Sequence, residues 1–293
     1  MLQSPSHAVI ASRDAAELAG HLQALGLLPT RRRTLDATSA RRLYGVSSPI
    51  EELRLEAPGA QRGFVRLLTS TAGPRGGSPY DLRPLAIDLY TRDIEASLAL
   101  AAGRGARCRP RVDYELGPLK VREAETVWTD GLVIVFLETN RRRPSLLDTD
   151  RERLHSEVHS IVWTVADVEK AQGTWRDRGG LQVLADAEIR GPIISRLLGL
   201  PKPEVPVRFS LLCDAEARPG RLELLQFLED EGGRRPTWPL AAGLHAVGFT
   251  VTDLEAAMGS LGDCSFGEVA TVETARAVTG LDPSGVRFEL WEA

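Results

Sequence analysis

The chain has 293 residues, 43% hydrophobic and 26% charged, with 36 Lys and Arg against 40 Asp and Glu, for a net charge of −4. This is a globular composition, long enough for one large core or two ordinary ones; it lacks the basic face that nucleic acid prefers, and its apolar runs are strand-sized, too short to cross a membrane. The N-terminus MLQSPSHAVI has no basic region followed by a long apolar core, and Cys108, Cys213 and Cys264 are odd in number and unclustered, so free buried thiols in a reducing cytoplasm are expected.

In chain order, His7–Ser12 predicts a strand and Asp14–Leu25 a capped helix, followed by strands near Arg32–Leu35, Glu52–Glu56 and Phe64–Thr69. A Gly/Pro/Ser stretch over residues 73–79 separates this unit from a second one, which starts near Leu85 and ends with a strand over Leu132–Glu138. Residues 140–153 are polar and charged and predict the main domain linker. A third unit begins near Val158 and closes with Arg221–Leu228. A second linker at 230–239 carries Gly232, Gly233, Pro236 and Pro239, and the fourth unit runs from Leu244 to the end.

The four units repeat one pattern: an apolar run ends in an Asp that opens an Ala-rich helix. The Asp residues are Asp14, Asp93, Asp167 and Asp253, spaced 79, 74 and 86 residues apart. Asp suits the position because its carboxylate accepts from free N–H groups of the first helical turn. Units one and three insert an extra helical turn, ATSARRLYG and GPIISRLLGLP. Units two and four enter their last strand through Asp130-Gly131 and Asp282-Pro283-Ser284-Gly285 turns. The long-short-long-short order predicts a duplicated two-unit domain, with paired halves at 1–140 and 154–293.

A βαβββ module with an Asp-capped first helix, used in pairs, resembles the vicinal oxygen chelate superfamily, which includes glyoxalase I, extradiol dioxygenases and bleomycin-binding proteins. The likeness is carried by HSIVWTVADVEKA with GRLELLQF, and by HAVGFTVTDLEAA with DPSGVRFELWE. It implies an α+β fold of four βαβββ modules paired into two cupped mixed-sheet domains. It also implies metal ligands on the first and last strands of each module.

The last-strand positions that match are Glu223 and Glu289. Alternation puts Val286, Phe288 and Leu290 on the helix face, and Arg287, Glu289 and Trp291 in the cup. The first-strand candidates are His159 and His245, each eight residues before its capping Asp. Together with Glu223 and Glu289 they would form a His₂Glu₂ set suited to one divalent Zn, Ni, Fe or Mn. The resemblance places the family's His one residue nearer the Asp, at Ser160 and Ala246. Alternation agrees: Ser160, Val162 and Thr164 face the cup, as do Ala246, Gly248 and Thr250, leaving the histidines on the helix face unless a β-bulge reverses them. Strand-capping histidines and a rim Glu paired with Arg are the structural alternative.

In the N-terminal half only His7 has the usual spacing, seven residues before Asp14. Arg66, Ala86 and Val135 replace its partners, and Arg cannot ligate a metal. His7, Arg66, Asp88 and Tyr90 are instead expected to share an N-terminal cup that holds an anionic or phenolic ligand or a structural salt bridge.

The functional expectation is a glyoxalase-like small-molecule enzyme of isomerase or lyase type, with Glu223 and Glu289 moving a proton in the C-terminal cup. Ser160, Thr164, Thr250, Arg287 and Trp291 would line that pocket. One alternative is a metal-free binding protein using Trp163, Trp291 and Tyr90. The other is an extradiol dioxygenase, which D-P-S-G-V-R-F-E resembles although the His and Tyr expected before that turn are missing from EVATVETARAVTG. The expected partner is a small molecule, with no nucleic acid, no membrane and a possible homodimer.

Overall fold

The structure, a computed structural model, describes residues 2–74, 80–229 and 240–292. The predicted separator at 73–79 lies mostly outside these residues, and the predicted linker at 230–239 lies wholly outside them. Module one holds β1 (His7–Ser12), α1 (Ala15–Ala24), β2 (Leu28–Leu35), α2 (Ala37–Tyr44), β3 (Ile50–Glu56) and β4 (Phe64–Thr69). Module two follows with β5 (Pro84–Thr91), α3 (Ile94–Gly103), β6 (Arg107–Cys108), β7 (Val112–Leu116), β8 (Leu119–Val127) and β9 (Val133–Thr139). Module three has β10 (His155–Thr164), α4 (Val168–Gln172), β11 (Gln182–Ile189), α5 (Ile193–Leu198), β12 (Val207–Cys213) and β13 (Arg221–Phe227). Module four has β14 (Gly243–Val251), α6 (Leu254–Ser260), β15 (Ser265–Phe266), β16 (Ala270–Val272), β17 (Ala275–Leu281) and β18 (Arg287–Glu292).

Each repeat Asp caps its helix through the same bond. Asp14, Asp93, Asp167 and Asp253 accept from the backbone N–H of Glu17, Ala96, Lys170 and Ala256. The inserted turns of the long modules are α2 and α5, each closed by a left-handed glycine, Gly45 and Gly199.

The module pairing differs from the expected halves. One nine-stranded sheet runs β15-β17-β18-β14-β1-β4-β3-β2, with β16 beside β17, so module one pairs with module four; the other runs β11-β12-β13-β10-β5-β9-β8-β6, with β7 beside β8, so module two pairs with module three. The first strands make both junctions, β1 antiparallel to β14 and β5 antiparallel to β10. Neither 1–140 nor 154–293 is therefore a paired domain. The polar stretch 140–153 joins β9 to β10 within one sheet instead of linking two domains. The N-terminal residues help fix this arrangement: Leu2 N–H donates to Gly179 O (2.7 Å) and Ser4 N–H to Asp214 Oδ2 (3.0 Å), tying the start of module one to module three.

The helix-bearing faces of both sheets contribute to one shared core that includes Ile10, Leu22, Ile87, Phe136, Trp163, Phe249 and Phe288. Trp175 of module three stacks on Phe249 (5.2 Å between centroids), and its Nε1 donates to Asp282 Oδ2 in module four (2.7 Å). Each opposite, concave face has its own cluster. Ala40, Leu43 and Tyr44 of α2 pack into the 1/4 cup, and Ile194, Leu197 and Leu198 of α5 into the 2/3 cup. The inserted helix of each long module thus covers one cup. Among the described residues no helix is long and apolar enough to cross a membrane. The three cysteines are free, Cys213 buried and the other two partly exposed.

Candidate functional site

The 1/4 cup is filled by a charged network. His7 on β1, Arg66 on β4 and Glu289 on β18 share the concave face, as register requires: β1 lies between β14 and β4, and β18 pairs with β14. His7 Nε2 lies 2.6 Å from Glu289 Oε1, and Tyr44 of α2 donates to Glu289 Oε2 at 2.8 Å. Arg66 Nη1 donates to Glu289, and Arg66 Nε donates to Glu52 Oε1 on β3 at 3.0 Å. Arg33 on β2 donates to the other Glu52 oxygen at 3.0 Å. Two guanidinium groups thus balance two carboxylates. The Arg66 guanidinium also lies 4.0 Å from the centroid of the Trp291 ring.

The network is dry. Glu289 is 0% exposed, His7 1%, and Arg66 and Glu52 3% each. Burial acts to raise the pKa of Glu289, but Arg66 and His7 outweigh it and hold the carboxyl well below the usual range. Glu52 is likewise lowered: burial opposes ionisation, and Arg66 and Arg33 overcome it. Burial lowers the His7 pKa despite Glu289, leaving a neutral ring. Its Nε2–H then faces Glu289, and its Nδ1 accepts from Ser6 Oγ at 2.8 Å. Thr279 and Arg287 face this cup and also line a cavity of about 310 Å³ with Arg42 and residues 265–267.

The 2/3 cup has the opposite character. Asp88 on β5, Glu123 on β8 and Glu223 on β13 project into it, with Tyr114 of β7 donating to Glu123 Oε2 at 2.6 Å. Glu123, Glu223, Tyr114 and Phe209 are half-buried, beside the apolar cluster that α5 brings into this cup. Burial pushes Glu223 up to about 8, helped by the Glu123 charge. Burial raises Glu123 to about 7 against the Tyr114 hydrogen bond. Asp88 is raised well above its ordinary value by burial, then by Glu223 and Glu123. Its Oδ1 has no hydrogen-bond partner.

The expected site residues divide between these cups. Glu223 and Glu289 lie in different sheets, so they do not share a cavity, and the set His159, Glu223, His245 and Glu289 cannot hold one ion. His7 and Arg66 face one cup while Asp88 and Tyr90 face the other, so the expected N-terminal cup is split as well. The bulge that would reverse each histidine occurs in both strands. Val158 and Ser160 on β10 oppose consecutive residues Leu89 and Asp88, making His159 the bulged residue. Ala246 and Leu244 on β14 oppose consecutive Val9 and Ile10, which bulges His245. Each histidine leaves the helix face: the His159 ring stacks on cup-facing Tyr90 at 3.9 Å, and His245 meets Tyr44 edge-on at 5.9 Å. The bulge on β10 also frees the Val158 N–H to donate to Gly63 O in the other sheet (3.1 Å).

Ser160 and Thr164 lie in the 2/3 cup strand β10; Thr250, Arg287 and Trp291 belong to the 1/4 sheet. The sequence reading missed Glu52, Arg33 and Tyr44 in the 1/4 cup, and Glu123 and Tyr114 in the 2/3 cup. Alternation in VDYEL and LKVREAETV marks the last two as cup-facing.

The donor sets do not fit the metal that the resemblance implies. In the 1/4 cup the ligand positions hold His7, Arg66, Ala246 and Glu289, and a guanidinium is bonded to the one carboxylate. In the 2/3 cup they hold Ala86, Val135, Ser160 and Glu223, a single strong donor. Among the described residues no group of three or more His, Cys, Asp and Glu is arranged to hold a metal.

No family model and no curated protein matches the sequence. Solved structures do match in shape. Glyoxalase I from Zea mays superposes with TM-score 0.69 at 14% identity, covering 99% of this chain and 92% of that one. A Bacillus subtilis protein described as a "putative dioxygenase" superposes with TM-score 0.68 at 12% identity, covering 99% and 85%. At such identity the likeness is one of fold. With four βαβββ modules paired into two curled mixed sheets, the chain has the vicinal oxygen chelate fold in its two-cup, four-module form.

Proposed function

We propose that the chain is a small-molecule enzyme of the isomerase or lyase kind, with proton transfer carried by Glu223 in the 2/3 cup. The observation behind this is the half-buried Glu223, whose carboxyl is raised by burial to about 8 with no cation acting on it. General acid–base groups work best with pKa values near the operating pH, and Glu123 at about 7 and Glu223 at about 8 lie close to it. Once ionised, Glu223 would take a proton from a carbon next to a carbonyl. Asp88, kept protonated, would donate a hydrogen bond to the oxygen on which charge develops. Glu289 is left out of this chemistry because it is fully buried and bonded to Arg66, His7 and Tyr44. The shape likeness to glyoxalase I supports the carbonyl substrate class.

The test is incubation with 2-oxoaldehyde hemithioacetals and α-hydroxyketones in deuterated water, following loss of the carbon-bound proton by NMR. Exchange should increase as pH rises through 7–8, and Glu223→Gln should lower it roughly 10²–10⁴-fold. No exchange by the wild-type chain across this panel, or full exchange in Glu223→Gln, would overturn the reading.

A further inference from the structure

The two cups balance buried charge differently. In the 1/4 cup Arg33 and Arg66 answer Glu52 and Glu289. In the 2/3 cup no Lys, Arg or His pairs with Asp88, Glu123 or Glu223 among the described residues, and the charges acting on Asp88 and Glu223 are those of other carboxyls. Two of the nearby cations have other partners. Arg109 is paired with Glu125 (2.6 Å); Arg221 donates to Ala217 O and lies against His159.

Outside the carboxyl group, His159 is also unsatisfied. Its Nδ1 faces Ser160 Oγ (2.8 Å) and the Arg221 guanidinium (3.5 Å), both able to donate, so the ring proton sits on Nε2. That Nε2 has no partner, although His159 is 4% exposed. The bulge in β10 sets the ring on Tyr90, two residues from Asp88 on the same strand face. Asp88 Oδ1, on a residue 5% exposed, is unpartnered too.

We infer that the 2/3 cup takes an organic cation, a protonated amine that also carries a hydrogen-bond acceptor. This rests on the 2/3 cup being the site and adds the charge class of its ligand. Buried carboxyls without a counter-charge are costly, and a bound ammonium would remove that cost. The three carboxyls are not arranged to ligate one small ion. An ammonium on a carbon skeleton instead spreads its contacts over a wider space, and Tyr90, Tyr114 and Phe209 supply aromatic walls. The acceptor on the ligand would take the His159 Nε2–H.

The experiment is calorimetric titration of the intact chain with benzylammonium and 1,4-diammoniobutane, and with benzyl alcohol as the neutral match. At least one ammonium probe should bind, at least about tenfold tighter at pH ~8.5 than near pH 6, because binding draws protons off the carboxyls. Benzyl alcohol should not bind. Asp88→Asn and Glu223→Gln should each weaken the ammonium at least roughly tenfold at the higher pH. Each should also unfold at a higher temperature than wild type there, which shows that the variants fold. Equal binding of benzyl alcohol, pH-independent affinity or binding by neither ammonium would overturn the inference. So would stoichiometric Mn²⁺ binding abolished by the same substitutions. If neither ammonium binds while Glu223-dependent exchange persists, the ligand class falls and the catalytic reading stands. Ammonium binding without exchange supports the ligand class and removes the catalytic reading.

Discussion

Arg66 donates to Glu289 across the floor of the 1/4 cup, from the position where the resemblance implies a metal-ligating carboxylate. With Arg33, which also pairs with Glu52, it neutralises Glu289 and Glu52 in a buried space, a task a dication performs in other donor sets. Removing one member of a fully buried charge pair leaves the other uncompensated, which costs about 3–5 kcal/mol. Arg66→Met should therefore lower the unfolding free energy by that amount, measured by denaturant titration. Adding Glu52→Gln and Glu289→Gln should recover part of it. A neutral effect of Arg66→Met alone would mean that the network is solvated.

The two cups should respond oppositely to pH. Glu289 and Glu52 have folded pKa values below the unfolded value, so their stabilisation is present above pH ~4.5 and is lost as pH falls through the folded values. Glu223 and Glu123 are raised to about 8 and about 7, so the folded chain holds protons that the unfolded chain has released. Their contribution falls as pH rises from ~4.5 to about 8 and is then constant. Thermal unfolding should show a midpoint that declines from mildly acid to mildly alkaline pH. In Glu223→Gln that decline should be shallower; an unchanged slope would place the titrating group elsewhere.

Gly248 faces His7 across the β1–β14 junction, and a Cβ on it would stand 2.0 Å from His7 Nε2. The glycine is needed for this close approach and not for its backbone angles. Gly248→Ala should push the ring off Glu289 and cost about 1–3 kcal/mol, as overpacking does. Pairing it with His7→Ala should return part of that loss. The check is unfolding of both variants, with the His7 ring nitrogens followed by NMR in Gly248→Ala.

The local fold was legible in the sequence because its signals are local. The four capping Asp residues and the inserted helices α2 and α5 form as their motifs require, and the alternation Arg287-Glu289-Trp291 is the observed cup face. Module pairing was not legible. All four first strands offer similar apolar edges, and the choice among them is tied to contacts distant in sequence, such as Ser4 with Asp214 and Trp175 with Asp282. The bulges at His159 and His245 left one trace, a spacing of eight in place of seven. That trace could not say that the two histidines enter different cups. Glu123 and Tyr114 follow from alternation within their own strands, but their importance depends on having Glu223 as a neighbour, which only the pairing of modules two and three provides.

Glu123 should set the upper pH limit of Glu223. Burial is the larger cause of the raised Glu223 pKa, and the Glu123 charge adds to it. Glu123→Gln removes the charge while keeping the volume and a group able to meet the Tyr114 hydroxyl. The Glu223 pKa should then fall from about 8 but stay above the usual carboxyl range, because its surroundings are unchanged. Tyr114→Phe acts the other way on Glu123. It removes a hydrogen bond that favours the carboxylate, so Glu123 should titrate above about 7. Carbon-13 NMR titration of the glutamate side-chain carboxyls reads both shifts directly. The exchange assay reads the first independently, since the rise in rate with pH should move to lower pH in Glu123→Gln. If Glu223 titrates unchanged in that variant, the two carboxyls do not interact across the cup, and the curled arrangement of β8 opposite β13 is wrong.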